Sequence, residues 1–275
     1  MHDKTRLIIL GDAVGIPGQQ MMKKHVPLLK EKYKADIIIA NGENAAPDGR
    51  GITPKVMQLL KQAGVHIVTS GNHIFAKKDI YLYLAEHKDL LRPINFPSTC
   101  PGVGVAVHVV NGISIGVINV QGRIFMREQL SCPFKAIESA LTFLKNKTSC
   151  IVVDMHAETS SEKAGVALYF DGQVSVVVGT HTHVQTADER ILPNGTGFIT
   201  DLGMAGALNS MIGMRKESVL HNMLTQMPSK FEVDYNGPFV LSGIVVDVDQ
   251  NTGKAVHIER IRVIDTELIV HNNNE

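Results

Sequence analysis

The sequence predicts an α/β fold in which two mixed β-sheets pack on each other and helices flank them. Through the first half of the chain, short apolar runs typical of strands alternate with helical patterns. In the middle, strand-like residues between positions 103 and 120 surround Asn111-Gly112, which favours a two-residue type I′ hairpin. Near the end, a second pair of runs between positions 239 and 264 encloses Asn251-Thr252-Gly253. Two hairpins added to an alternating start indicate mixed sheets.

The first quarter of the chain predicts a β-α-β-α-β start. Three apolar runs predict its strands: residues 7–10, 37–40 and 67–69. The helix between the first two strands contains Pro27, which should introduce a kink. The second helix should begin at Thr53 as N-cap with Pro54 at its first position, and should end at Gly64. Such an order implies parallel strands joined by right-handed crossovers.

The second half of the chain continues the alternation. A helix is predicted after Pro133, then a strand at Cys150, a helix over about Ser161–Phe170 and a strand at Val174. No internal repeat or Pro/Ser-rich linker divides the sequence. We therefore expect a single domain spanning residues 1–275, in which only residues 271–275 form a loose tail.

The composition is that of an ordinary globular protein. Lys+Arg and Asp+Glu are equal at 27 each, so no global charge favours long nucleic acids or anionic membranes. Three cysteines without C-x-x-C spacing fit a reducing compartment. The sequence shows neither an apolar leader segment nor a run approaching the ~20 residues of a membrane span. We expect a cytoplasmic protein with no membrane contact that acts on a small phosphorylated molecule, although a short RNA end also fits.

Five strand-like runs are each followed, within a few residues, by polar side chains that metals bind. Ligands gather beyond the carboxyl ends of strands in open α/β sheets, so these side chains should meet in one place. The candidates are Asp12, Glu43, Asn44, Asn72, His73, His156, His181 and His183. One Asp, one Glu, two Asn and four His are the composition of a hydrolytic centre with two metal ions.

Some of these positions favour particular roles. A buried, unpaired carboxylate at Glu43 would be costly, and bridging two cations would remove that cost. Because adjacent residues usually point apart, Asn72 is the better ligand and His73 the better proton donor. In extended chain, His181 and His183 would face the same side. Taken alone, each position also has a simple explanation, such as a surface turn or a hydrogen-bonded structural histidine.

The order of these motifs resembles that of calcineurin-like metallophosphoesterases and, more closely, their YmdB-type branch of bacterial 2′,3′-cyclic nucleotide phosphodiesterases. The resemblance covers nearly the whole length. Its main motifs are Gly11-Asp12, Asn41-Gly42-Glu43-Asn44, Gly71-Asn72-His73, Gly122-Arg123-Ile124-Phe125-Met126, His156-Ala157-Glu158, Ser161-Glu162-Lys163 and Gly179-Thr180-His181-Thr182-His183. That branch has Glu-Asn where the wider superfamily has Asp, and this chain has Glu43-Asn44.

The resemblance implies a metallophosphoesterase-type sandwich and a metal-dependent phosphoric diester hydrolase. One metal would be held by Asp12, Glu43, Asn44 and His183, and the other by Glu43, Asn72, His156 and His181. His73 matches the general acid of the family, which protonates the leaving oxygen after attack by a metal-bridged hydroxide. The substrates would be 2′,3′-cyclic nucleotides or RNA ends that carry a cyclic phosphate. Oxygen and imidazole ligands favour Mn²⁺ or Fe²⁺, with Zn²⁺ or Mg²⁺ as alternatives.

The chain departs from the branch at a few positions near these motifs. Ile74-Phe75-Ala76 follows His73 where an aromatic and then an acid are commoner, and Gln19 replaces a basic residue. Residues 205–207 replace a turn that contains Thr and Pro. No metal ligand is missing, so these changes bear on substrate fit and rate.

Alternatives stay open for other residues and for the function. Asp154 and Glu158 either orient the His156 ring or are surface carboxylates. Arg123 either steadies a phosphate or base, or forms an ordinary ion pair. The alternatives to a phosphodiesterase are a phosphomonoesterase or phosphoprotein phosphatase on the same site, and a metal-bound, non-enzymatic regulator. A complete ligand set with a proton donor argues against the regulator. A homo-oligomer is compatible with the sequence.

Overall fold

The computed structural model describes residues 4–110 and 112–271. In that part of the chain, the strands are β1 (Lys4–Ala13), β2 (Ile37–Asn41), β3 (Ile67–Thr69), β4 (Val105–Val110), β5 (Ile113–Gln121), β6 (Cys150–His156), β7 (Val176–Thr180), β8 (Arg190–Ile191), β9 (Gly197–Ile199), β10 (Met204–Ala207), β11 (Phe239–Asp249) and β12 (Ala255–Asp265). The helices are α1 (Gly15–Tyr33), α2 (Pro54–Ala63), α3 (Ile80–Glu86), α4 (Pro133–Leu144), α5 (Ser160–Tyr169) and α6 (Lys216–Thr225). Asn111 and residues 272–275 of the predicted tail lie outside the described residues.

The strands form two six-stranded mixed sheets, which confirms the predicted fold class. The first sheet has the order β12-β11-β10-β1-β2-β3. In it β10, β1, β2 and β3 run parallel, and β11 runs antiparallel to its neighbours. The second sheet has the order β4-β5-β6-β7-β9-β8, with parallel strands from β5 to β9 and an antiparallel strand at each edge.

The two sheets pack face to face through apolar side chains. Leu7 and Ile9 of β1 lie in one buried cluster with Val117 of β5 and Val152 of β6. Their neighbours along β1, such as Ile8, point the other way and pack in the cluster formed with α1 and α2. Since successive residues of a strand face opposite sides, β1 is buried on both faces. This double burial explains why its sequence is an unbroken apolar run.

Several local predictions are confirmed. The Thr53 side chain accepts a hydrogen bond from the Val56 N–H at the start of α2, and Gly64 ends that helix with φ of 103°. Both predicted antiparallel strand pairs form, β4 with β5 and β11 with β12, whereas the type I′ turn predicted at Asn111-Gly112 includes a residue outside the described part of the chain. Helix α1 continues through Pro27, and the kink expected there stays a prediction. The sequence patterns gave no indication of α3, α6 or β8–β10.

Two further findings concern the cysteines and the helices. All three cysteines are free thiols, as predicted from their spacing. Within residues 4–110 and 112–271, none of the helices has the length and apolar character that a bilayer crossing requires. That the chain is a single domain stays a prediction.

Candidate metal centre

The predicted site residues lie at the ends of strands from both sheets. Asp12 is the penultimate residue of β1, the 43–44 pair follows β2 and the 72–73 pair follows β3, all in the first sheet. His156 is the last residue of β6, and His181 and His183 follow β7, in the second sheet. The structure brings all eight predicted residues into one connected group of contacts.

One half of this group surrounds His156. Its Nε2 atom lies 3.2 Å from Glu43 Oε2, 3.0 Å from Asn72 Oδ1 and 3.1 Å from His181 Nδ1. Ligand atoms of Glu43, His156 and His181 all lie within 4.8 Å of one another. Glu43 and His156 are fully buried. Three potential ligand atoms thus lie within 3.2 Å of a fourth, His156 Nε2.

The other half joins Asp12, Asn44 and His183. The Asn44 amide nitrogen lies 3.1 Å from Glu43 Oε1 and 3.1 Å from His183 Nε2. His183 Nε2 lies 3.8 Å from Asp12 Oδ1. The second oxygen of Asp12 accepts the backbone N–H of His181 at 3.2 Å. Glu43 therefore turns one carboxylate oxygen toward each half of the group.

The histidine rings are held by hydrogen bonds that determine which nitrogen carries a proton. His183 Nδ1 lies 2.8 Å from the Ile212 carbonyl, which can only accept, so Nδ1 carries the proton and Nε2 is free. His156 Nδ1 lies 3.0 Å from Thr180 Oγ1. That hydroxyl already donates to Asp154 Oδ1 at 2.7 Å, so it accepts from His156 and leaves Nε2 free.

In the third ring, that of His181, the two nitrogens have exchanged roles: Nε2 carries the proton and Nδ1 is free. His181 Nε2 lies 3.1 Å from the carboxylate of Glu158, which accepts its proton. The free nitrogen is then Nδ1, the atom that faces His156 Nε2. In its neutral form, each of the three imidazoles thus directs a lone pair into the group, as metal-binding histidines do.

Burial and charge shift the titration of these groups strongly. Burial raises the pKa of Asp12 to about 7. Burial would also raise the pKa of Glu43, but the neighbouring His156 outweighs it and lowers this pKa to about 2. Burial opposes protonation of His156, yet Glu43 and Asp12 outweigh it and raise its pKa to about 9. Positive charge is therefore strongly favoured between these carboxylates.

Two features test whether these residues fit metal ions. Asp12 Oδ1 is buried and has no hydrogen-bond partner in the described part of the chain, which is costly for a carboxylate unless a cation lies against it. Gly71 has no side chain where a Cβ would overlap the His156 ring and the Glu43 carboxylate. Carboxylate oxygens, amide oxygens and imidazole nitrogens without thiolates suit divalent Mn, Fe or Zn. The residues fit the implied cations.

The structure corrects two arguments from the sequence. His181 and His183 do not share a side through extended backbone: β7 ends at Thr180, and both histidines adopt left-handed conformations with φ of 98° and 64°. A turn, and not a strand, brings them together. Glu158 contacts His181 and not His156. Asp154 does act on His156: Thr180 connects the two by hydrogen bonds, and the charge of Asp154 favours the protonated His156 ring.

Some residues of the site were missed from the sequence. Thr180 and the Ile212 carbonyl orient histidine rings. Asn41 accepts the Glu43 N–H at 3.0 Å and donates to Asp154 at 3.1 Å. Arg50 Nε lies 3.3 Å from His73 Nδ1. Only Thr180 and Asn41 lie inside recognised motifs, so only they carried a signal that could have been used.

A two-sheet α/β sandwich with acid, amide and histidine side chains at one shared edge defines the metallophosphoesterase class of fold. The sequence profile of YmdB-like proteins matches residues 8–261. The chain is 45% identical over 260 residues to the 2′,3′-cyclic-nucleotide 2′-phosphodiesterase of Bacillus subtilis (strain 168), an alignment that covers 94% of this chain and 97% of that protein. The chain therefore belongs to the YmdB-like protein family.

Two solved structures are similar over nearly the full length. A hypothetical protein from Thermus thermophilus superposes with a TM-score of 0.88 at 38% identity, covering 95% of this chain and 100% of that one. A phosphatase from Mycoplasma pneumoniae superposes with a TM-score of 0.89 at 36% identity, covering 97% and 96%. The arrangement of the sheets is thus shared with these proteins.

Proposed function

We propose that this protein is a two-metal phosphodiesterase that hydrolyses 2′,3′-cyclic nucleotides. The observation that carries the proposal is the buried Asp12 oxygen, which has no hydrogen-bond partner among the described residues and belongs to the same group as three imidazoles whose inward nitrogens are free in the neutral ring. The name of the 45% identical relative from Bacillus subtilis supports the choice of substrate. The same chemistry would act on an RNA end that carries a cyclic phosphate.

We infer two ligand sets that share Glu43, in which the Asn44 amide would be turned so that its oxygen replaces the nitrogen that now contacts Glu43 and His183. Asp12, Glu43, Asn44 and His183 would hold one cation, and Glu43, Asn72, His156 and His181 would hold the other. Glu43 suits the bridging position, because Oε1 faces Asn44 and Oε2 faces His156. Divalent cations in such a site lower the pKa of water toward neutrality and neutralise phosphate charge. Mn²⁺ or Fe²⁺ is the preferred occupant on ligand chemistry, with Zn²⁺ or Mg²⁺ as alternatives.

His73 is the proposed proton donor. Its backbone N–H donates to Glu43 Oε2 at 3.2 Å, and its Nδ1 accepts from Arg50 Nε at 3.3 Å. With Nδ1 occupied in this way, the proton of the neutral ring lies on Nε2. Burial lowers the pKa of His73, with Glu43 opposing and Arg50 reinforcing the shift. A lower pKa makes the protonated ring a stronger acid, which would protonate the ribose oxygen that leaves phosphorus.

Two substitutions separate metal binding from proton transfer. We expect Asp12→Ala to lose one of the two Mn²⁺ ions, the one beside Asp12 and His183, and, with it, hydrolysis of 2′,3′-cyclic AMP. His73→Ala should keep the metal while kcat falls by roughly 10²–10⁴, the usual contribution of a general acid. His257→Ala, on an exposed position of β12, is the matched control and should leave metal content and kcat unchanged. Metal content and steady-state kinetics are the measurements.

Substrate comparison distinguishes the competing functions. Metal-loaded protein that hydrolyses phosphomonoesters but not cyclic diesters would establish the phosphatase instead. Protein that binds metal but hydrolyses neither class would contradict catalysis and favour the regulator.

A further inference from the structure

The segment after β5 reaches the metal centre at both of its ends. We call residues 122–128 the 122–128 loop. At its start, the Gly122 N–H donates to the carbonyl of His156 at 2.9 Å. At its end, Glu128 accepts a hydrogen bond at 3.1 Å from Gln121, the residue of β5 that pairs with His156 in the sheet. Both ends of the loop therefore lie next to a proposed metal ligand.

Glu162, in the first turn of α5, holds the backbone of this loop. Its nearly buried carboxylate accepts the N–H of Arg123 at 3.0 Å and that of Ile124 at 3.2 Å. Gly122 permits this approach, because a Cβ there would overlap Glu162 and Ala157. The loop is thus fixed to the scaffold by a buried side chain.

Phe125 stands at the tip of this loop in a conformation that favours glycine. The Met126 N–H donates to the Arg123 carbonyl at 3.3 Å and closes a turn in which Phe125 has φ of 60°. Bulky residues rarely adopt this left-handed region. Met126 points inward and is buried, whereas the Phe125 ring is 87% exposed. A held backbone and an exposed ring in a strained turn indicate a role for that ring outside the core.

The surroundings of Phe125 suit a flat ligand. Within residues 4–110 and 112–271, its ring stacks on no other aromatic ring, and the neighbouring exposed Arg123 forms no ion pair. Exposed aromatic rings, together with basic side chains, are the groups on which nucleobases stack in single-stranded nucleic-acid sites. Because the loop starts at the backbone of His156, it is the neighbouring segment that a base joined through ribose to a phosphate in the metal centre would meet.

We propose that Phe125 is the platform on which the base of the cyclic nucleotide stacks, an inference that rests on the proposed function. Stacking on one aromatic face is tolerant of base identity and is stronger for larger rings. The platform would act on substrate binding, and the chemistry at phosphorus would proceed without it.

Phe125→Ala tests the proposal with two substrates. For 2′,3′-cyclic AMP, we expect KM to rise roughly five- to a hundredfold, the range of base–aromatic stacking, while kcat stays nearly unchanged. For methyl riboside 2,3-cyclic phosphate, which has no base, the same substitution should leave KM unchanged. Phe125→Tyr should restore the wild-type KM for 2′,3′-cyclic AMP. Ile124→Ala, at the exposed residue beside it, is the matched control and should leave KM unchanged for both substrates.

The outcomes separate the two proposals. If wild-type protein hydrolyses both substrates and Phe125→Ala leaves both KM values unchanged, or raises them equally, the platform is wrong and the phosphodiesterase stands. If metal-loaded wild-type protein hydrolyses neither substrate, the proposed function fails and the platform fails with it.

Discussion

At the scale of single residues, the centre depends on which nitrogen of each histidine is free. His156, His181 and His183 each use one nitrogen on an acceptor outside the group and direct the other inward. The sequence predicted the three histidines, because they follow apolar strands. It could not predict that Glu158 accepts the ring proton of His181 or that the Ile212 carbonyl accepts the ring proton of His183. Those partners come from separate segments whose positions only folding determines.

Thr180 offers a direct test of this orientation. Thr180→Val removes the acceptor for the His156 Nδ1 proton and one donor to Asp154. The ring should then lose its fixed tautomer, and Mn²⁺ affinity should fall roughly 10- to 100-fold, as for other groups that orient metal ligands. Calorimetric titration of the metal-free protein with Mn²⁺ measures the effect.

Thr69→Val is the matched control for that substitution. The Thr69 hydroxyl also donates to Asp154, on the other carboxylate oxygen, and makes no hydrogen bond to His156. Both variants should lose about 1–2 kcal/mol of unfolding free energy through a lost buried hydrogen bond. Only Thr180→Val should lose metal affinity. Equal losses of affinity would mean that Asp154, and not the His156 tautomer, determines binding.

At the scale of elements, helix α1 contacts the last residue of strand β12, which lies near the other end of the sequence. Asp265, the last residue of β12, lies 2.6 Å from Lys24 Nζ and 2.7 Å from His25 Nε2. It also accepts the backbone N–H groups of Glu267 and Leu268. Burial would raise the pKa of Asp265, but these hydrogen bonds outweigh burial and hold it well below its usual range. The contact fixes the helix that begins just after Asp12.

Asp265→Asn should destabilise the protein in a pH-dependent way. A carboxyl whose pKa is depressed by folding contributes stability above its unfolded pKa of about 3.9, and that stability is lost as pH falls toward the folded pKa. We expect a loss of about 1–2 kcal/mol at pH 7, since half-exposed Lys24 adds little. The difference from wild type should shrink as pH falls below about 4. Urea unfolding at several pH values measures it.

An exposed ion pair of the same length is the control. Asp48 lies 2.6 Å from Lys77 Nζ, but its side chain is 56% exposed. Asp48→Asn should change the unfolding free energy by less than about 0.5 kcal/mol at every pH. A pH-independent loss in Asp265→Asn would show that its charge is not what stabilises the α1 contact.

At the scale of the whole molecule, neither sheet alone contains the centre. Four proposed ligands lie at the ends of strands of the first sheet, and the three histidines lie at the ends of strands of the second. Cations between them would therefore connect the two halves of the sandwich. The fold class could be predicted because strands that are buried on both faces have unbroken apolar sequences. The strand order could not, because β8–β10 are short and β10 pairs with β1, which lies far away in sequence.

Anomalous diffraction at the manganese edge, on crystals grown with excess MnCl₂, tests the central claim most directly. We expect two peaks between the sheets, one beside Asp12 and His183 and the other beside His156 and His181, with Glu43 in contact with both. Crystals of Asp12→Ala should lose the first peak. No peak in this group of residues in wild-type crystals, despite saturating manganese, would contradict the account.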